Sequence, residues 1–166
     1  ILDVEATSTG LAIKKWLDAV VVSMKQIAEN PLGYASGSEV VGYPDTIPEE
    51  YLGVYLPFEG GNEMLWLCLF SDERGCQSIS RALFGMSPDE EDLPADEVGD
   101  ALGEVVNIIA GLVKSQMRED NADMSLTIGL PKYIPDPTEV VCRKHRAFSE
   151  VRIGPVSAHL GVVRIQ

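Results

Sequence analysis

Residues 97–117 form the longest uninterrupted periodic run in the chain, with Val98, Leu102, Val105, Ile109 and Leu112 recurring at three- and four-residue spacing. A helix of that length carries one apolar stripe and must bury it against another layer of structure. The rest of the sequence supplies that layer. Residues 11–30 are a second amphipathic helix built on Ile13, Trp16, Leu17, Val20, Met24 and Ile27, and stopped by Asn30-Pro31-Leu32-Gly33. Three strand-like stretches follow at 38–43, 51–58 and 63–70, the last two separated by Glu59-Gly60-Gly61-Asn62, which reads as a tight hairpin turn. Residues 72–84 return to helical spacing, with Cys76, Ile79, Ala82 and Leu83 on one side and Arg74, Gln77 and Arg81 elsewhere. Strand patterns at 124–130, 138–142 and 150–165 close the chain, the last broken near Gly154-Pro155. Helix, three strands, two helices and three strands predict an α+β domain with helices packed on a largely antiparallel sheet.

Composition narrows what such a domain can do. Thirteen Lys and Arg oppose 26 Asp and Glu, a formal charge of −13, which argues against binding nucleic acid or an anionic membrane surface. With 166 residues and 45% hydrophobic content the chain is long enough for one self-sufficient core; residues 1–10 read as an N-terminal extension and 11–166 as a single domain. Cys68, Cys76 and Cys142 are odd in number and form no C-x-x-C pair, so neither a disulfide framework nor a thiolate zinc site is signalled. No apolar run approaches the roughly 20 residues needed to span a bilayer, and the opening ILDVEATSTG is not a basic-then-apolar leader, so a cytoplasmic location is the expectation.

Charge is also uneven. Between Met86 and Asp100 there are seven acids and no Lys or Arg, which places over half of the net excess in a Pro-rich loop and the first turn of the long helix. Residues 86–96 read as a solvated loop, Asp96 as the N-cap of the helix, and Glu97 as a carboxylate favoured by the positive end of the helix dipole. Such an acidic patch steers a cationic group on a partner, an effect that weakens with salt.

The polar side of the long helix is as ordered as its apolar side. With Asp100 at zero and 100° per residue, Glu104 falls at about +40°, Asn107 at about −20° and Gly111 at about +20°, while the apolar set clusters at roughly 120° to 200°. Asp100, Glu104 and Asn107 therefore make one outward stripe, with Gly103 and Gly111 beside it. Two glycines in a strong helix cost roughly 1 kcal/mol each relative to Ala, so close approach of another surface is expected there, either a partner or this chain's own sheet.

The stripe spells D-x-x-x-E-x-x-N, and the text DEVGDALGEVVNIIAG resembles the signature of the CheC/CheX/FliY family of response-regulator phosphatases. The surroundings agree: a preceding helix ending Ala82-Leu83-Phe84-Gly85, an acidic loop, and MSLTIGLP after the helix. CheC-like members carry two copies of the motif and CheX-like members one. Asp18 is followed at the same spacing by Val22 and Lys25, and Asp72 by Cys76 and Ile79, so the chain resembles the single-motif, CheX-like branch.

That resemblance implies a CheC/CheX-like fold, a homodimer, and hydrolysis of a phospho-aspartate on a CheY-like receiver domain. It makes Asn107 the residue that positions the attacking water and Glu104 the partner of the receiver's lysine. Asp100, Gly103 and Gly111 fall on the substrate-facing side. It also places Mg²⁺ on the receiver, with no metal or other cofactor bound by this chain. The other reading is a non-catalytic receiver-binding or dimerisation module in a two-component signalling system.

Weaker signals have structural readings. His145 and His159 lack ligands at metal spacing, Trp16 and Trp66 lie in apolar patterns expected of a core, and Arg143-Lys144-His145-Arg146 reads as a basic turn. There is no P-loop, G-x-G-x-x-G or G-x-S-x-G.

Overall fold

In a computed structural model, which describes residues 12–60, 62–120 and 125–165, the helices pack on one antiparallel sheet. The elements are α1 (Ile13–Glu29), β1 (Ser38–Gly42), β2 (Leu52–Gly60), β3 (Glu63–Ser71), α2 (Glu73–Leu83), α3 (Ala95–Asp120), β4 (Thr127–Ile128), β5 (Lys132–Ile134), α4 (Thr138–Val141), β6 (Arg146–Ile153) and β7 (Val156–Arg164). The strands lie in the order β1-β6-β7-β3-β2-β4, with β5 also paired to β2. The expected α+β architecture is the one observed. The expected extension at 1–10, and the outer ends of the elements expected to start at residues 11 and 124, lie outside the described residues.

Period-2 alternation in the three central strands makes the sheet two-sided. Val54, Leu56 and Phe58 of β2, Leu65, Leu67 and Leu69 of β3, and Ala158, Leu160 and Val162 of β7 face the helices and join Trp16, Val20, Met24 and Ile27 of α1 and Val98, Leu102, Val105 and Ile109 of α3 in the main core. On the other face, Tyr55, Cys68, Phe70, Phe148 and Val163 pack with Ile47, Ile134 and Val140 in a smaller cluster. Trp16 is fully buried as expected, its ring edge-on to Phe58 with centroids 5.5 Å apart. Trp66 is only half-buried, stacked on Tyr55 at 3.9 Å and with the Arg143 guanidinium over its ring at 4.6 Å.

Local chemistry explains most boundaries. Asp72 caps α2 by accepting from the Gly75 N–H at 2.7 Å, and Gly33 (φ 75°) turns the chain after α1, where the Tyr34 N–H donates to the Ala28 carbonyl at 2.8 Å. Gly154 (φ 58°) turns the β6–β7 hairpin, the break expected near Gly154-Pro155.

The structure corrects four local expectations. The long helix begins at Ala95, because the Pro94 carbonyl already accepts from the Glu97 and Val98 N–H groups; Asp96 is in the first turn and is not the cap. Of residues 138–142, whose Thr138, Val140 and Val141 read as a strand, Thr138–Val141 form the short helix α4 instead. There the Asp136 side chain accepts from the Thr138 N–H at 2.9 Å, starting a turn that β-branched propensity does not register. Strand β5 was not expected and comes from Lys132-Tyr133-Ile134 pairing with Gly53, Val54 and Tyr55. Finally, Arg81 is buried, and the acidic loop is stapled to α2. Arg81 Nη1 lies 3.0 Å from Asp92 Oδ1, Gln77 Nε2 donates to the Leu93 carbonyl at 2.9 Å, and the Leu93 N–H returns to Gln77 Oε1 at 2.8 Å. Asp89, Glu90 and Glu91 between these anchors remain exposed.

The smaller cluster contains a titratable group. His159 is buried on β7 with the Tyr51 ring edge-on at 5.3 Å, and its Nδ1 has no hydrogen-bond partner among the described residues. Burial lowers its pKa, opposed by the nearby Glu150 carboxylate. The unfolded chain then binds a proton that the folded chain refuses. Stability is full above the unfolded value of about 6.5 and declines as pH falls through that value toward the lower folded one. Thermal unfolding from pH 8 to pH 5 is expected to show this decline in the wild type and a flatter one in His159→Gln; parallel curves would remove His159 from the account.

Candidate functional site

Helix α3 is held from three sides, which fixes where its polar stripe points. Val98, Ala101, Leu102, Val105, Val106, Ile109, Val113 and Met117 are buried, and Leu112, expected on the same face, is half-buried at the margin of that stripe. At its far end, Gln116 Nε2 donates to Ser23 Oγ at 2.8 Å and to the Ala19 carbonyl at 3.3 Å, tying α3 to α1.

The two ends of the stripe meet different surroundings. Toward the N-terminus of α3, the edge strand β5 and the segment before it lie against the helix, and glycine makes this possible. A methyl group on Gly99 would lie 3.1 Å from Tyr133 Cγ, and one on Gly103 would lie 3.1 Å from Pro131 Cγ. Gly103 is therefore buried by this chain's own Pro131, so the close approach expected at that glycine is intramolecular. Gly111 is exposed, with open space where a side chain would be, and does not line the same groove.

Between α3 and that edge runs a groove of about 410 Å³ lined by Ala95, Asp96, Gly99, Asp100, Gly103, Glu104, Asn107, Pro131 and Tyr133. It brings Asp100, Glu104 and Asn107 together as the 3.6-residue period requires. Glu104 and Asn107 are one turn apart, with Cβ atoms about 5 to 6 Å apart by helix geometry. Asp100 and Glu104 are exposed and Asn107 is half-buried. None of the three makes a side-chain hydrogen bond or ion pair with the described residues. Ala95, Asp96, Gly99, Pro131 and Tyr133 complete the lining and were not singled out from the sequence as site residues. Asp96 was visible as one further turn of the same stripe, whereas Pro131 and Tyr133 arrive only through β5 pairing with β2.

Chemically, the groove offers two carboxylates and a carboxamide projecting from one rigid element, with a third carboxylate at the helix N-terminus. It can attract a cation and orient a small polar molecule. Among the described residues, no group of three His, Cys, Asp or Glu side chains is arranged to hold a metal ion. The cysteines offer no nucleophile: burial pushes the Cys76 thiol up to about 12 and the Cys68 thiol further, and Cys142 lies outside the groove. None of the described helices is long and apolar enough to cross a membrane.

Comparison with solved structures places the fold. The chemotaxis protein CheX of Vibrio vulnificus superposes with a TM-score of 0.65 at 15% identity, covering 91% of this chain and 99% of that one. CheX from Borrelia burgdorferi, in the crystal structure of its complex with CheY, BeF3 and Mg, gives 0.68 at 12% identity over 93% and 97%. FliY of Thermotoga maritima gives 0.65 at 16% identity over 99% and 92%. Sequence comparison with curated proteins gives no match. The model of the family described as chemotaxis phosphatase CheX matches residues 54–150, a span that contains most of β2, all of β3, the stripe on α3 and the edge that walls its groove; the chain belongs to the CheX family.

Proposed function

We propose that this protein dephosphorylates the phospho-aspartate of a CheY-like receiver domain, with Asn107 positioning the attacking water and Glu104 pairing with the receiver's lysine. The observation that carries the reading is the disposition of Glu104 and Asn107: one turn apart on a 26-residue helix, facing one groove, and engaged by nothing else among the described residues. Membership of a phosphatase family, and a CheX relative seen in complex with CheY, support a receiver as the substrate.

An acyl phosphate already has a good leaving group, so hydrolysis needs a water held in line with phosphorus and the developing charge neutralised. A carboxamide can orient that water without adding a negative charge against the phosphoryl oxygens. Glu104 is less suited to the water and better suited to a cation. Pairing it with the receiver's lysine orients the partner so that Asn107 reaches the phosphoryl group. Asp100, one turn further back, adds attraction for the same cation, as do Asp96 and the acidic loop. Gly103 contributes by admitting Pro131, which walls the groove. Gly111 lies outside this lining and leaves the next turn open to the partner. The receiver carries the Mg²⁺ that the chemistry uses.

The test is phosphate release from phosphorylated receivers of the host, with and without the protein. Faster release by at least one receiver is expected. Binding of phosphorylated receivers without faster release would favour the non-catalytic module.

A homodimer is part of this reading. The β4–β5 edge of the sheet is interrupted and carries Pro131, whereas the β1 edge is unpaired among the described residues and exposes Val41 and, just beyond it, Tyr43. We place the dimer contact at β1. Sedimentation equilibrium is expected to give twice the monomer mass, and a monomer at concentrations that saturate activity would discard it.

A further inference from the structure

Leu130 is the most exposed large apolar side chain among the described residues, with 84% of its surface accessible. An isolated exposed leucine is ordinary on a protein surface; what distinguishes this one is the rigidity and the place of the segment that carries it. It lies in the three-residue break between β4 and β5, and the chain on both sides of it is pinned. The Gly129 N–H donates to the Pro57 carbonyl of β2 at 2.8 Å, Pro131 packs on Gly103 of α3, and Tyr133 packs on Gly99 one turn earlier. The backbone of Leu130 is therefore held to both the sheet and the helix while its side chain is left in water.

The place is the rim of the groove. Pro131, the next residue, is a wall of the space that Asp100, Glu104 and Asn107 also line. The groove thus offers carboxylates at Asp96, Asp100 and Glu104 and a carboxamide at Asn107, and Leu130 projects into water from the position directly before its Pro131 wall. Interfaces that combine a desolvated apolar anchor with a neighbouring charged pair concentrate their binding energy in such anchors.

We propose that Leu130 is an apolar anchor for the phosphorylated receiver, seated in an apolar recess of the receiver next to the lysine that meets Glu104. The proposal rests on the phosphatase reading above and adds a specificity determinant to it. Receivers that present a polar surface at that point are then poor substrates even with the shared phosphorylation chemistry intact. Leu130 takes no part in the hydrolysis, so its effect falls on binding.

The experiment is steady-state dephosphorylation of a receiver that the wild type accepts, using Leu130→Ser, Leu130→Met and Asn107→Ala. Leu130→Ser is expected to raise the half-saturating receiver concentration about tenfold with the saturated rate unchanged, and Leu130→Met to restore it. Unchanged thermal unfolding is expected for both, since the side chain is in water. A Leu130→Ser half-saturation equal to wild type, or a lowered saturated rate in its place, overturns the anchor while leaving the phosphatase reading standing. Full activity in Asn107→Ala withdraws only the role of Asn107, whereas failure of the wild type to speed phosphate release from any receiver overturns the phosphatase reading itself, so the failures are distinguished.

Discussion

Asn107→Ala is expected to lower receiver dephosphorylation about 100-fold, to near the receiver's own spontaneous rate, with little change in stability. Asn107 is half-buried in the groove, and its side chain makes no hydrogen bond or ion pair with the described residues, so its removal breaks nothing that holds α3 in place. What is lost, on the proposed reading, is the carboxamide that positions the attacking water. Glu104→Gln provides the contrast. It keeps shape and hydrogen bonding and removes the charge, so the expected loss is in half-saturating receiver concentration, with a smaller loss in the saturated rate. Stopped-flow or phosphate-release kinetics over a range of receiver concentrations separates the two. An active Asn107→Ala, or a Glu104→Gln indistinguishable from wild type, would withdraw the corresponding role.

Trp16→Ala is expected to cost about 4 kcal/mol of folding stability, read as a shift in the urea midpoint at constant slope. Trp16 is fully buried between α1 and the sheet, its ring edge against Phe58. Its Nε1 has no hydrogen-bond partner among the described residues, so truncation removes apolar contact and opens a cavity without losing a hydrogen bond. The consequence reaches the groove. Helix α1 holds the far end of α3 through Gln116, so a loosened α1 frees the element on which Glu104 and Asn107 keep their spacing. A loss below about 1 kcal/mol would mean that the core closes around the deletion.

The legible and illegible parts of this chain divide by the range of the forces that decide them. Helix α3 and its Asp100, Glu104 and Asn107 stripe could be read because a 3.6-residue period acts within one element and needs no knowledge of its neighbours. The β2–β3 hairpin could be read for the same reason, from a short loop rich in turn residues, whereas of the β6–β7 hairpin only the break near Gly154 was legible, the rest of 150–165 reading as one strand. Residues 138–142 could not. Their β-branched side chains favour a strand, and the turn in which the Asp136 carboxylate accepts from the Thr138 N–H outweighs that preference. Strand β5 has only three residues and owes its existence to β2.

The glycines show the same boundary inside the site. Gly103 and Gly111 look alike in sequence, both on or beside the polar stripe and both unfavourable in a helix. Tertiary structure separates them: Gly103 makes room for Pro131, while Gly111 faces open space. By itself the sequence determined the fold class, the helix and the three polar side chains on one face of it, because each follows from local periodicity. Only the tertiary structure decided that those side chains stand in a groove, since its second wall comes from a segment held against α3 by hydrogen bonds to β2, and no pattern within either segment announces the other.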